Sequence, residues 1–230
     1  MQDKNHYTTE LKISKLFLFC FYIILSFYCN AQSENKFSNE VIAITAKYDT
    51  IWDTNRETIV FTGSSSVRLW KNLEQGFPDH QIVNSGFGGS ESSDLLHFLN
   101  DLVLMYNPKK VFIYEGDNDL WAKKRPNQVL DTAEEIIRRI KANNRSTQII
   151  LIAAKPSLRR WAIRRKYKKL NRKFDRLAKK DIQIDFVDVW QPMLNNRKPM
   201  TDIFIEDGLH MNQKGYNIWY EAIKNLVNNP

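Results

Sequence analysis

The sequence predicts an α/β domain, a three-layer α/β/α sandwich around a five-stranded, mostly parallel sheet. Three observations predict it. Short apolar or β-branched runs recur along the chain, longer segments of helical period separate them, and small polar clusters follow the runs directly. Strands that alternate with helices imply right-handed crossovers and a sheet covered on both faces. At 230 residues, 43% of them hydrophobic and 26% charged, the chain fits one domain with a sizeable core of its own. Eight glycines and seven prolines exclude collagen-like and disordered classes, and two cysteines exclude a disulfide scaffold or a four-thiolate zinc site.

Taken in order, Val41–Tyr48 reads as a short helix. The strands fall at Ile59–Phe61, Gln81–Asn84, Val111–Tyr114, Ile149–Ala153 and Ile184–Val189, each a run of β-formers with little charge. Helical patterns cover Asp94–Met105, Gln128–Ala142, Trp161–Lys179 and Tyr216–Val227. In the third of these, Ile163, Tyr167, Leu170, Phe174 and Leu177 are spaced 4, 3, 4 and 3, one buried stripe on a helix. Its outer face is cationic, for Arg159 to Lys180 holds twelve Lys or Arg and a single acid, Asp175. Such a face can hold a protein against an anionic surface or an acidic polysaccharide, or be merely solvated. No internal repeat or linker marks a second domain.

The first thirty-one residues read as an address. Lys12 and Lys15 precede an uncharged run, Leu16–Tyr28. As a helix that run reaches about 20 Å, short of a hydrocarbon core of about 30 Å. A basic flank, a short apolar stretch and Ala31 at the end are the parts of a secretory signal peptide, cleaved after Ala31. The alternative is an uncleaved anchor. The organisation expected is therefore a signal peptide at 1–31, an extension with the short helix at 32–57, and the domain at 58–230. Cleavage removes Cys20 and Cys29 and lowers the formal charge from +8 to +7. A cysteine-free exported protein in the periplasm or outside the cell suits an oxidising compartment, and export argues against nucleic acid as the partner of the positive charge.

Ligands of open α/β sheets sit beyond the carboxyl ends of the strands. Four clusters lie there or ahead of the last helix: Gly63-Ser64-Ser65-Ser66, Gly86-Phe87-Gly88-Gly89-Ser90, Glu115-Gly116-Asp117-Asn118-Asp119 and Asp207-Gly208-Leu209-His210. Ser65 supplies a hydroxyl in a glycine-led turn. Asp207 and His210, three apart, can pair as carboxylate and imidazole. Gly89 lets a backbone N–H approach a substrate oxygen, and Asn118 adds an amide donor. Together they supply the groups that acyl transfer needs. Trp70, Trp121, Trp161 and Trp190 follow strand-end loops or helix starts and are candidates to stack on sugar rings, with core filling as the other reading. His80 and His97 have no obvious partner for a metal site, and His6 is in the leader.

These blocks resemble the SGNH hydrolases, or GDSL esterases and lipases. Phe61–Val67 is similar to the family's first block, Asn84–Gly89 to the second, Gly116–Asp119 to the third and Asp207–His210 to the last. Lys155-Pro156-Ser157 and Asp188–Met193 look like the branch of platelet-activating-factor acetylhydrolase subunits. The resemblance implies a flavodoxin-like sheet and Ser65 as nucleophile, with His210 as base and Asp207 as its partner. It implies an oxyanion hole from the Ser65 and Gly89 N–H groups and the Asn118 amide, and neither metal nor cofactor. Ser64 stands where the family usually has Asp, which leaves Ser64 and Ser66 as alternative nucleophiles. The expected activity is removal of short acyl groups, acetyl in particular, from a small-molecule or glycan ester. The alternatives are a lipid-directed hydrolase of the lysophospholipase or platelet-activating-factor acetylhydrolase kind, and a catalytically silent glycan- or surface-binding protein.

Overall fold

The computed structural model describes residues 36–229. The signal peptide expected at 1–31 lies outside them, as do Cys20 and Cys29. The chain divides into two compact units, 1–42 and 43–230. Of the first, residues 36–42 are described and are helical; in the second, residues 43–49 form helix α1. Among the described residues, no helix is long and apolar enough to cross a membrane.

In the second unit, strands β1 (Thr58–Gly63), β2 (Gln81–Gly86), β3 (Lys110–Tyr114), β4 (Gln148–Ile152) and β5 (Ile184–Val187) form one sheet in the order β2-β1-β3-β4-β5. Every neighbouring pair is parallel, so the sheet expected to be mostly parallel is wholly so. This is the doubly wound order that places a ligand where connections from β1 and β3 diverge. Near-continuous apolar runs are what such doubly covered strands require. β5 ends at Val187, short of the expected Val189, because the Asp188 carboxylate accepts the Trp190 N–H at 2.8 Å and turns the chain.

Alternation along the strands feeds two cores. Ile59, Phe61, Phe112, Tyr114, Ile150 and Ile152 pack against helices α2 (Ser65–Arg68), α3 (Leu73–Gly76) and α9 (Gln213–Asn228), through Val67, Leu73 and Trp219 among others. Ile113 and Leu151 face the other way, toward Val129, Ala133 and Ile136 of α7 (Pro126–Asn143) and Phe174 of α8 (Arg164–Ala178). Helices α7 and α9 begin earlier than periodicity suggests. Pro126 opens α7 while Gln128 reaches back to the Arg125 N–H at 2.9 Å, and the Asn212 side chain accepts from the Lys214 and Gly215 N–H groups to start α9.

The helix expected over Asp94–Met105 is broken into α4 (Ser92–His97), α5 (Leu99–Leu102) and a 3₁₀ turn (Leu104–Tyr106), with non-helical backbone at Val103. Leu95, Leu99, Leu102 and Tyr106 nevertheless all stay buried. Trp161–Lys179 likewise opens with a 3₁₀ turn, Trp161–Ile163, before α8. Short elements escape the pattern reading altogether: α2, α3, α6 (Asp117–Trp121) and a two-stranded hairpin, β6 (Leu194–Asn195) with β7 (Lys198–Pro199).

Gly63 ends β1 with φ +125°, and a Cβ there would lie 2.1 Å from the Tyr114 carbonyl oxygen of β3. Only glycine tolerates both demands. Gly63→Ala should destabilise the fold by on the order of 3 kcal/mol, since the obstructing atom is backbone in a sheet. A shift in the urea midpoint measures it, and an unchanged midpoint would contradict the geometry.

Candidate active site

The loop after β1 positions the first group. Ser64 caps α2 in extended conformation, its N–H bonded to the Tyr114 carbonyl, and Ser65 is the first residue of the helix. Helix geometry leaves the N–H of that residue without an intrahelical acceptor. Ser64 and Ser66 are buried, whereas Ser65 is partly open and its Oγ lies 2.9 Å from His210 Nε2. Of the three serines, Ser65 is the one in contact with the imidazole.

The loop ahead of α9 supplies the partners. Asp207 Oδ1 accepts the N–H groups of Leu209 (2.8 Å) and His210 (2.9 Å), while Oδ2 lies 2.5 Å from His210 Nδ1. Desolvation works against ionising this carboxylate, but the backbone donors of His210 and Leu209 and the imidazole outweigh it and hold Asp207 at about 2. A carboxylate only accepts, so Nδ1 carries the proton and Nε2 presents its lone pair to the Ser65 hydroxyl. Phe204 and Met211 form an isolated bridge, and the His210 carbonyl accepts the Ile205 N–H at 2.9 Å, which closes the loop on itself.

The other two clusters meet each other. Asn118, on α6, donates from Nδ2 to the Ser90 carbonyl at 2.8 Å. Gly89, the residue before Ser90, is exposed and adopts φ +78°, a conformation suited to glycine. An added Cβ there would meet nothing within 4 Å, so the space beside it is open. Ser90 Oγ bonds Glu115 Oε1 at 2.6 Å, and Asp119 accepts both the N–H and the hydroxyl of Ser92. Burial pushes the Glu115 carboxyl well up, with the Asp119 charge adding to the effect.

Beneath Asn118 lies a buried ionic cluster. The sequence reading named Asp117 and Lys155 within larger blocks without giving them a role, and did not single out Arg160. Asp117 accepts from Arg160 Nη1 (2.6 Å), Tyr167 (2.5 Å) and Tyr114 (2.9 Å), with Lys155 Nζ at 3.7 Å. Desolvation opposes its charge, yet the Lys155 and Arg160 cations keep its carboxyl below the usual range. Lys155 is only 1% exposed and Arg160 8%. The signal available was a lysine closing an apolar run, Leu151-Ile152-Ala153-Ala154-Lys155, but the basic stretch after it disguised Arg160 as one more surface charge.

The tryptophans divide. Trp121 is 49% exposed beside Asn118 on α6, with the Arg160 guanidinium 5.4 Å from its ring. Trp161 is partly open and stacks on Trp190 at 5.8 Å. Trp190 is buried, and Trp70, at 3% exposure, packs against Tyr216, Trp219 and Phe61 in the core. Those two offer no face to a sugar ring. Their positions in sequence, after strand-end loops, did not separate core filling from ligand stacking. Among the described residues no three His, Cys, Asp or Glu side chains converge as a metal site; His80 pairs with Asn228, and His97 lies against Phe98.

Comparison with known proteins gives the same direction. The fold resembles that of a Streptococcus pneumonia protein named for platelet activating factor, at 24% identity and TM-score 0.73, over 87% of this chain and 98% of that one. A GDSL-like lipase from Bacteroides thetaiotaomicron matches at 23% identity and TM-score 0.67, over 80% and 96%. An acetylxylan esterase from Geobacillus stearothermophilus matches at 18% and 0.62, over 76% and 95%. A search of curated proteins returns no match. The GDSL-like Lipase/Acylhydrolase family matches residues 44–218, most of the chain. With that match and this fold, the chain belongs to the GDSL-like lipase/acylhydrolase family and is an ester-hydrolysing enzyme.

Proposed function

We propose that the chain is an exported serine esterase that removes short acyl groups, acetyl above all, from carbohydrate esters. The observation that carries the chemistry is the relay Ser65 Oγ–His210 Nε2, 2.9 Å, continued from Nδ1 to an ionised Asp207. As Ser65 Oγ attacks the ester carbonyl carbon, His210 Nε2 takes its proton and Asp207 stabilises the imidazolium. The carbonyl π electrons move to oxygen, held by the N–H groups of Ser65 and Gly89 and the second Nδ2 hydrogen of Asn118. Collapse expels the alcohol, which leaves with the proton from His210. Water, deprotonated by His210, then attacks the acyl-serine carbonyl. As the acyl C–Oγ bond breaks, His210 returns the proton to Ser65 Oγ and the carboxylic acid is released.

The substrate reading draws on the acetylxylan esterase among similar folds and on exposed Trp121, a flat ring beside Asn118. Export draws on the basic flank and short apolar run of the leader. The outward cations of α8, among them Arg165, Lys168 and Arg172 beside an open groove of about 750 Å³, fit contact with an acidic polysaccharide or another anionic surface. A lipid-directed hydrolase is the second reading. It is favoured by Leu158 and Ile205, exposed apolar residues flanking the 207–210 loop, where Arg159 N–H bonds the Gly208 carbonyl.

A series of 4-nitrophenyl esters from acetate to palmitate discriminates the two. An acetylesterase should lose at least about tenfold in kcat/KM by octanoate, roughly 1.4 kcal/mol of transition-state binding. A rising series would replace the carbohydrate reading with the lipid one.

A further inference from the structure

Asn118 is not held by its own loop alone. Its Oδ1 accepts two N–H groups of one guanidinium, Arg160 Nη1 and Nη2, each at 3.0 Å. The same guanidinium is tied by Nη1 to Asp117 at 2.6 Å, and Asp117 is locked by Tyr167 and Tyr114. With Oδ1 occupied, the Asn118 amide can face in one sense only: Nδ2 must point away from Arg160. One of its hydrogens then satisfies the Ser90 carbonyl at 2.8 Å, and the other is left to point outward.

A neutral amide is otherwise a poorly specified donor, since a flip exchanges N–H₂ for C=O at small steric cost. Flipped, Asn118 would turn a lone pair toward a developing oxyanion and repel it. The fork also draws electron density through the amide, which strengthens the N–H as a donor. Arg160 supplies both constraints from a buried position where water competes little.

The cluster extends to the other half of the site. Lys155 Nζ, 3.7 Å from Asp117, donates to the Leu209 carbonyl at 2.7 Å, one residue before His210. Asp117 thus sits between the cation that grips Asn118 and the cation that anchors the Asp207–His210 loop. Lys155, Arg160 and Asp117 carry a net positive charge when all are ionised, of the sign that favours an oxyanion.

From this geometry we infer that Arg160 is a positioning residue for ester hydrolysis, which fixes and polarises the Asn118 amide so that its free N–H meets the oxyanion. The inference rests on the serine-esterase reading and adds to it a role for a residue that does not touch substrate.

The test is a cycle of variants on the full chain with 4-nitrophenyl acetate: Arg160→Lys, Arg160→Met, Asn118→Ala, each Arg160 variant combined with Asn118→Ala, and Ser65→Ala as control. Asn118→Ala should lower kcat by about 10²–10³. Arg160→Met should lower kcat by about 10- to 100-fold with KM within about twofold, as expected when orientation and not binding is lost. Arg160→Lys keeps a cation beside Asp117, and so remains informative if the methionine variant does not fold. It should still lose at least about tenfold in kcat, because an ammonium lacks the planar fork. In the Asn118→Ala background neither Arg160 substitution should lower kcat further, a non-additivity that general destabilisation would not produce. Wild-type kcat in folded Arg160→Lys, or losses that multiply with Asn118→Ala, would overturn the inference. If activity survives in Ser65→Ala, the reading of Ser65 as nucleophile itself fails; if it is lost there but kept in the Arg160 variants, only the positioning role fails.

Discussion

Ser65→Ala should abolish turnover of 4-nitrophenyl acetate by about 10⁶-fold while leaving the thermal midpoint within a few degrees. Removal of a serine nucleophile in a triad costs about that factor, roughly 8 kcal/mol in activation free energy. The fold should survive, because the Ser65 hydroxyl is engaged with the His210 ring and not with a buried backbone group. Alanine is also a good residue for the first position of α2. A fluorophosphonate should label the wild type on Ser65 and fail to label the alanine variant. Persistence of labelling would direct attention to Ser64 or Ser66, yet both are buried. Full activity in Ser65→Ala would remove the proposed mechanism entirely.

Much of the architecture was legible because the parallel strands must be apolar on both faces and the chain must turn sharply at their carboxyl ends. Both demands mark the sequence locally, as in Val111–Tyr114 followed by Glu115-Gly116-Asp117. The breaks between α4, α5 and the 3₁₀ turn left no such mark. Leu95, Leu99, Leu102 and Tyr106 keep near-helical spacing across them, so the stripe that periodicity detects is continuous where the hydrogen bonding is not. The candidate site was legible by order and location, since serine, aspartate and glycine are each common in turns but four such clusters fall at strand ends or ahead of the last helix. Its support was not. Arg160 and Lys155 lie in or near a stretch whose other cations face water, and burial is decided by tertiary packing against Asp117, Tyr114 and Tyr167. Trp70 shows the converse: a position after the Ser65 turn on the chain, but a side chain packed under α9.

Asp207→Asn should lower kcat by about 10⁴-fold with little change in the ester's KM, the loss seen when a triad carboxylate becomes an amide. The cause is a tautomer. In the wild type Asp207 Oδ2 requires a proton on Nδ1, which leaves Nε2 as the acceptor of the Ser65 proton. An asparagine can donate to Nδ1 and so stabilise the ring with its proton on Nε2, facing Ser65 donor to donor. The carboxylate's titration offers an independent check. Asp207 is depressed to about 2, as its backbone donors, His210 and Leu209, and the imidazole outweigh desolvation. A depressed acid contributes stability above its unfolded pKa, near 3.8, and that contribution is lost as pH falls through about 2. The wild type should therefore lose thermal stability more steeply than Asp207→Asn between pH 4 and pH 2, and the two should run parallel above about pH 5. Any fall in wild-type activity centred above pH 4 must then belong to a group other than Asp207. Equal slopes below pH 4, or an asparagine variant with wild-type kcat, would show that the carboxylate neither holds its charge nor sets the ring's proton.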